Sequence, residues 1–464
     1  MLLPSQKKAP KSMLTERLAV FVASQSAKDI PDEVYDAARD AVIDTLGVAL
    51  AGSREEVADI AAAWIGEIGA QASATVWGRK LSSHVSEAAF VNGISAHALD
   101  FDDSFPSGRG HISACLVPTV LTVGEVSGAS GQDVLAAYII GIETASILGR
   151  VFGPGHQRRG WHPTATVGTL ASTAAAGRLL GLDAKNMACA WGIAGSQVGG
   201  LARNFGTMTK PFHIGRAAQA GVVSANLAAK GFTADGAIFD DAGGVMDVYV
   251  GGDGEPVEEV ISSLAGPWSI LSPGNYVKQW PCCFSGHRTI GALFDLINQQ
   301  GINRADVTDV SIEFLPGGDA SLLSRNPQTG LEGKFSIEYI VAAFLLDGVL
   351  RMSTFTDEMV QRAEARQLMQ RVERIYIPDE KFYSGIAGYN DITVTTKDGE
   401  FKVHEDRVPG SRVWPMSEAD RDTKFMDCAS QILDDSSAAD LLKRIKNIRA
   451  ADDIQAMVRA TVPY

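Results

Sequence analysis

The chain has 464 residues, a net charge of −14, and 45% apolar against 21% charged residues, which is the profile of a globular protein with two or three domains and a large core. The acidic balance excludes non-specific nucleic-acid binding, and no apolar run reaches the roughly 18 residues of a membrane span. Five cysteines, none in a C-x-x-C spacing, argue against a zinc knuckle and for reduced thiols in a reducing compartment.

Met1–Met13 is polar and basic, without the apolar centre of a secretion signal, and reads as a loose tail on a cytoplasmic protein. From Thr15 to about Lys230 the pattern is helical. In Pro31–Ala51, Pro31 and Asp32 open the helix, apolar residues recur at Val34, Ala38, Val42, Leu46 and Val48, and Gly52 follows. Helices are also predicted over Val85–Leu99, Gly131–Arg150, Thr164–Leu180, Ala184–Gly199 and Ile214–Ala229. Their Ala, Gly and Ser content implies close helix–helix approach. The texture changes near Gly266. Asp309–Phe314, Arg374–Ile377 and Asp391–Thr395 alternate as strands do, and Gly399–His404 follows across a Lys397-Asp398-Gly399 turn. Helical runs at Gly286–Gln299 and Phe335–Leu346 lie between them, and Ser417–Leu433 and Ala438–Ile445 are helical again. The expected fold is mainly α: a large helical domain over 1–265, a smaller α+β domain over 266–408, and helices in 409–464 that return to the first domain.

Four segments carry chemistry. His97–Pro118 places Asp100, Asp102 and Asp103 within four positions, with Ser104 next and His111 one short loop later. Asp100 reads as a general acid or base and His111 as its partner or a substrate contact. The alternative is that Asp102 and Asp103 cap a helix and His111 is a satisfied core group. Crowded carboxylates should raise one another's pKa. In the second segment, His162 precedes Pro163 at a helix start, with Arg158 and Arg159 upstream. This suits carboxylate binding beside a proton-transfer histidine, or else a capping loop with solvated arginines. In the third, Lys210, His213 and Arg216 open a helix. Lys210 can bind a carboxylate or stabilise enolate-like charge, or these are surface charges around a core histidine. The fourth is Lys278 followed by Cys282, Cys283 and His287, where Cys283 either faces a site or is a small buried apolar group. G-x-G-x-x-G, P-loop, G-x-S-x-G and H-E-x-x-H motifs are absent, and the cysteines do not offer an iron–sulfur ligand set, so neither a metal nor a nucleotide is expected.

In this order the segments H-A-L-D-F-D-D-S, G-H-I-S-A, W-H-P-T-A-T-V-G-T, K-P-F-H-I-G-R-A-A, G-F-T-A-D, K-Q-W-P-C-C and G-K-F-S-I-E-Y resemble the MmgE/PrpD family, from about Leu14 to Lys424. The resemblance implies a cofactor-free enzyme, usually a homodimer, with its site between a helical and an α+β domain. It carries the family's active-site acid onto Asp100, the following hydroxyl onto Ser104, its histidines onto His111 and His162, and its lysines onto Lys210 and Lys278. Arg159, His213 and Cys283 are added as substrate contacts. Some positions depart from the family. Cys283 stands where the family's decarboxylase has a histidine, Ile112 replaces a proline, the segment from Ser104 to His111 differs in length from the decarboxylase's, and Glu338 occupies a commonly uncharged position. The expected activity is a hydro-lyase of the 2-methylcitrate dehydratase kind acting on a small di- or tricarboxylate. An isomerase of the iminodisuccinate epimerase kind is the alternative. A cis-aconitate-type decarboxylase and a non-catalytic carboxylate binder rank lower.

Overall fold

The computed structural model describes residues 14–240, 242–264, 266–379 and 388–463; the Met1–Met13 tail lies outside them. The chain divides into two units, one of residues 1–275 and 428–464, the other of residues 276–427. The sequence reading put these divisions at 266 and 409. Asn275 belongs with the first unit because its side chain is hydrogen-bonded to Asp103 and Tyr138 there.

The first unit is helical. Its main helices are α1 (Asp32–Gly52), α2 (Val85–His97), α3 (Ile112–Ser127), α4 (Gly131–Arg158), α5 (Pro163–Leu179) and α6 (Thr209–Ala229). A short hairpin, β1 (Ala74–Val76) with β2 (Leu81–Ser83), interrupts them and was not foreseen. Three-residue strands are too short to show an alternation. Asp32 and Glu33 sit in the first turn of α1, where carboxylates complement the helix dipole. The helix predicted to end at Arg150 continues to Arg158 past a break at Gly153, whose φ of 71° and following Pro154 interrupt the ladder. That helix is long and apolar enough to cross a membrane by composition, but most of it is buried inside this unit.

Small residues set the packing around the site. A Cβ on Gly93 of α2 would lie 2.9 Å from the Gly215 Cα, and one on Gly215 of α6 would lie 2.4 Å from the Phe90 carbonyl oxygen. The two helices therefore cross at backbone contact, which no larger residue permits. α5 packs against both α3 and α6 and is buried from Pro163 to Gly177. The C-terminal helix Asp435–Lys446 packs on α1.

The second unit is a four-stranded sheet with helices. β3 (Val307–Phe314) runs parallel to β4 (Val372–Tyr376) and antiparallel to β5 (Asn390–Thr396), and β5 pairs with β6 (Gly399–Glu405) in the predicted hairpin. Ile312, Ile392 and Val394 share one core with Ile290 and Leu293 of α7 (His287–Gln300) and Ile340 and Val341 of α8 (Ile337–Asp347). Glu338 is part of this scaffold. Its carboxylate accepts from Arg374 Nε and Nη2, both at 2.7 Å, with both side chains buried. Bidentate pairing of this kind is what makes a buried charge tolerable.

Candidate functional site

The loop from Ala98 to His111 leaves the end of α2 and is pinned to the start of α5. His111 N–H donates to Thr164 Oγ1 at 3.1 Å, and a Cβ on Gly110 would strike that same oxygen. Arg109 Nε donates to the Gly149 carbonyl at 2.8 Å. Within this loop Asp100 holds φ at +51°, a left-handed conformation that costs a non-glycine residue energy and recurs where geometry serves function.

Asp100, His111 and Lys210 come together. Lys210 Nζ, in the first turn of α6, lies 3.1 Å from Asp100 Oδ1, and His111 Nε2 lies 3.8 Å from the same oxygen. His97, at the last position of α2, presents its Nε2 4.0 Å from it. The two imidazole rings are 4.6 Å apart. Between their other faces lies Asp102, wholly buried, 2.8 Å from His97 Nδ1 and 3.2 Å from His111 Nδ1. His111 Nδ1 also lies 2.8 Å from the Asp103 carbonyl oxygen. Asp103 turns away. Its Oδ2 accepts from Ser113 and from Asn275, each at 2.7 Å, beside the Tyr138 hydroxyl.

Two expectations change here. Asp102 and Asp103 do not cap α3, whose N-cap is His111 with no side-chain cap bond. Nor is Asp102 raised as crowding predicts. Burial pushes the Asp102 carboxyl up, but the two imidazoles beside it outweigh that and hold it well below the usual carboxylate range. His97 moves the other way, because burial disfavours the imidazolium and lowers its pKa to about 4. At neutral pH the pair is an ionised Asp102 and a neutral His97.

His162 forms a second proton-bearing group. Its Nδ1 is 3.1 Å from His213 Nδ1, so one ring donates and the other accepts. Burial lowers both pKa values, His162 strongly, so the pair is neutral at pH 7. Phe205 lies 4.8 Å from the His162 ring, and Lys210 Nζ is 5.5 Å from the centre of the Phe205 ring. Phe205 thus links the two groups.

The remaining candidates make other contacts. Ser104 is half-buried in the loop. Arg159 is exposed and donates to the Val250 carbonyl at 3.0 Å. Lys278 and Cys283 belong to the second unit. Lys278 is buried, its carbonyl accepts from Lys424 Nζ at 2.8 Å, and its charge adds to the burial that lowers the nearby His287 to about 3. The buried Cys283 thiol lies 3.8 Å from the Ser321 carbonyl oxygen. All five cysteines are thiols and not disulfides.

Sequence reasoning assigned no role to His97 and offered Asp102 only as a crowded acid or a helix cap. The signal was present in the H-A-L-D-F-D spacing, which lets a histidine on the last helical turn meet an acid five residues on in the returning loop. His97, Asp100, Asp102 and His111 also offer ligand atoms within 4.8 Å of one another, a geometry that could hold a cation.

Residues 16–257 match the MmgE/PrpD N-terminal domain and residues 280–449 the MmgE/PrpD C-terminal domain. The chain belongs to the MmgE/PrpD family. Among its relatives are the cis-aconitate decarboxylase of Homo sapiens, 29% identical over 457 residues, and that of Mus musculus, 28% identical over 462 residues; each alignment covers 96% of this chain and 93% of the relative. The cis-aconitate decarboxylase of Aspergillus terreus is 28% identical over 386 residues, 78% of either chain. Membership supports an enzyme of the lyase type. The relatives carry the activity that Cys283 had ranked low.

Proposed function

We propose that the chain is a cofactor-free lyase acting on a small tricarboxylate of the cis-aconitate kind, by proton transfer at the carbon next to a carboxylate. The observation that carries this reading is the meeting of Lys210 Nζ and Asp100 Oδ1 at 3.1 Å with two imidazole nitrogens facing the same oxygen. A carbon beside a carboxylate is a weak acid, so its chemistry needs a positioned proton carrier and a cation for the enediolate-like charge. Asp100 supplies the first and Lys210 the second. Neutral His162, held by His213, is the second proton carrier.

The bond broken is C–C in the first reading, supported by relatives of that activity that align over nearly the whole chain. Carbon dioxide leaves, its electron pair enters the conjugated acid, and one proton is delivered to carbon. The second reading, dehydration, is favoured by Cys283, a buried thiol beside the Ser321 carbonyl where the resemblance places a histidine in the decarboxylase. We also propose a homodimer. Its support is a run of exposed apolar side chains, Ile60 and Trp64 on one helix and Phe212 on α6, linked through ring contacts to Phe90.

Incubation with cis-aconitate, 2-methylcitrate and iminodisuccinate in deuterated water tests the function. Carbon dioxide release supports decarboxylation, a new double-bond absorbance supports dehydration, and deuterium exchange alone supports the epimerase. No change in any of the three overturns the lyase reading. Sedimentation at micromolar concentration tests the dimer.

A further inference from the structure

Phe205 touches two chemistry-bearing groups and carries no polar atom of its own. Its ring meets the His162 ring edge-on, with centroids 4.8 Å apart and planes at 79°, and Lys210 Nζ lies 5.5 Å from its centroid. An ammonium within about 6 Å of an aromatic centroid is drawn to the electron-rich ring, and aromatic pairs favour an edge-to-face arrangement. Phe205 is 41% exposed, so its ring lies at the surface of the helical unit and not in its core.

The main chain holds the ring in this place from both sides. His162 N–H donates to the Gly200 carbonyl at 3.0 Å and Ala202 N–H to the Gly160 carbonyl at 2.8 Å, so Trp161 and Leu201 are bridged as in an antiparallel ladder. Gly200 holds φ at +111°, and a Cβ there would lie 2.5 Å from the Ala165 Cβ, which presses this segment against the start of α5. Ala202–Asn204 is a single 3₁₀ turn, and Phe205 N–H closes onto the Ala202 carbonyl at 3.0 Å. Lys210 N–H donates to the Thr207 carbonyl at 3.0 Å as the chain enters α6. Phe205 is thereby tied to the backbone of His162 before it and, through a short turn, to that of Lys210 after it.

We propose that Phe205 is a positioning residue for Lys210, its ring holding the ammonium beside the His162 imidazole so that both face one bound carboxylate. The inference rests on the reading of Lys210 as the cation for enediolate-like charge and of His162 as a proton carrier. A lysine is a point charge on a flexible four-carbon stem with three N–H donors, and Asp100 Oδ1 at 3.1 Å engages one of them. A second carboxylate would fix the head of the side chain, but it would also offset the charge and compete for the donors. An aromatic ring attracts the ammonium without a formal charge, which leaves donors for an anionic substrate. It also keeps water from one side of the ammonium, so that the charge acts more strongly on negative charge developing nearby. An aliphatic side chain of similar size would exclude water but would not attract the ammonium.

The test uses the full chain, and reads kcat/KM on the carboxylate it turns over together with the calorimetric Kd of propane-1,2,3-tricarboxylate, a saturated probe. Phe205→Leu keeps an apolar side chain and removes the ring. It should lower kcat/KM about tenfold and weaken the probe about threefold, with melting unchanged. Phe205→Tyr keeps the ring and should stay within about twofold of the wild type in both measurements. In the Lys210→Met background, Phe205→Leu should cost less than about twofold, because the ammonium held by the ring is gone. Phe205→Met serves in place of Phe205→Leu if the latter melts early. An equal loss with and without Lys210 overturns the proposal, and so does a Phe205→Leu protein with wild-type kcat/KM and probe affinity, or a Phe205→Tyr protein as impaired as Phe205→Leu. If the wild type turns over none of the carboxylates tested while the probe follows the expected pattern, the lyase reading fails and the positioning role stands. A probe that does not bind the wild type overturns the positioning role.

Discussion

Lys210→Met separates a catalytic role for the Lys210–Asp100 pair from a structural one. The side chains are matched in length, so packing changes little and the charge is lost. At 3.1 Å and an effective dielectric of about 20, the attraction between the two charges is about 5 kcal/mol. Desolvation and the ordering of a long side chain offset most of that in the folded state, and partly exposed pairs contribute no more than about 1 kcal/mol to stability. In a chain of this size that corresponds to a fall in Tm of no more than about 4 °C. A reacting centre differs, because charge appears there only in the transition state. Removing one preorganised donor to such charge costs about 2.7–4 kcal/mol, a factor of about 10² to 10³ in kcat. The variant should therefore keep its fold and lose turnover. Calorimetric melting and product formation from the active carboxylate, measured on the same preparation, check this. A variant within threefold of wild-type kcat would refute the assignment of Lys210, and so would a loss of activity that tracks unfolding.

Two further predictions concern the scaffold. Glu143 is buried on α4, accepts the Ser269 N–H at 2.7 Å and the Ile270 N–H at 3.3 Å, and burial raises its pKa from 4.5 to about 7. The folded value lies above the unfolded one, so its contribution is fully present below pH 4.5 and is lost as pH rises through 7. Linkage sets that loss on the order of 3 kcal/mol as an upper bound. Urea unfolding of Glu143→Gln should be flatter between pH 5 and pH 8 than that of the wild type, and an identical slope would exclude Glu143 as its source. In the second unit, Glu338→Ala leaves the Arg374 guanidinium buried without its bidentate partner. The expected loss is about 3–5 kcal/mol in urea unfolding; a loss below 1 kcal/mol would mean that Asp319 and the neighbouring carbonyls suffice.

The helices and strands were legible because their periodicity is strong, as in α1 and the β5–β6 hairpin. The Gly153 break was not, because a glycine followed by proline reads as a helix end unless the chain resumes in register beyond it. In the site, Asp100, His111, His162 and Lys210 stood out as titratable residues beside helix starts. The relation of Asp102 to its neighbours did not. Three consecutive-looking acids read as one negative cluster, whereas the loop turns Asp100 toward Lys210, Asp102 between two imidazoles and Asp103 toward Ser113. Charge spacing along the chain does not reveal which way each carboxylate points. Arg159 illustrates the converse. Its position beside a helix start suggested anion binding, yet it is spent on a backbone carbonyl.

The backbone contact between Gly93 and Gly215 has a consequence for how specificity in this enzyme can be altered. The loop bearing Asp100 hangs from one of these helices and Lys210 sits on the other, so the reach between acid and cation is fixed by main chain and not by side-chain size. Substitutions in this loop that keep its anchors at Arg109 and Gly110 can then admit a different carboxylate without carrying Lys210 away from Asp100. A designer seeking a new substrate would vary that loop and leave the two glycines alone.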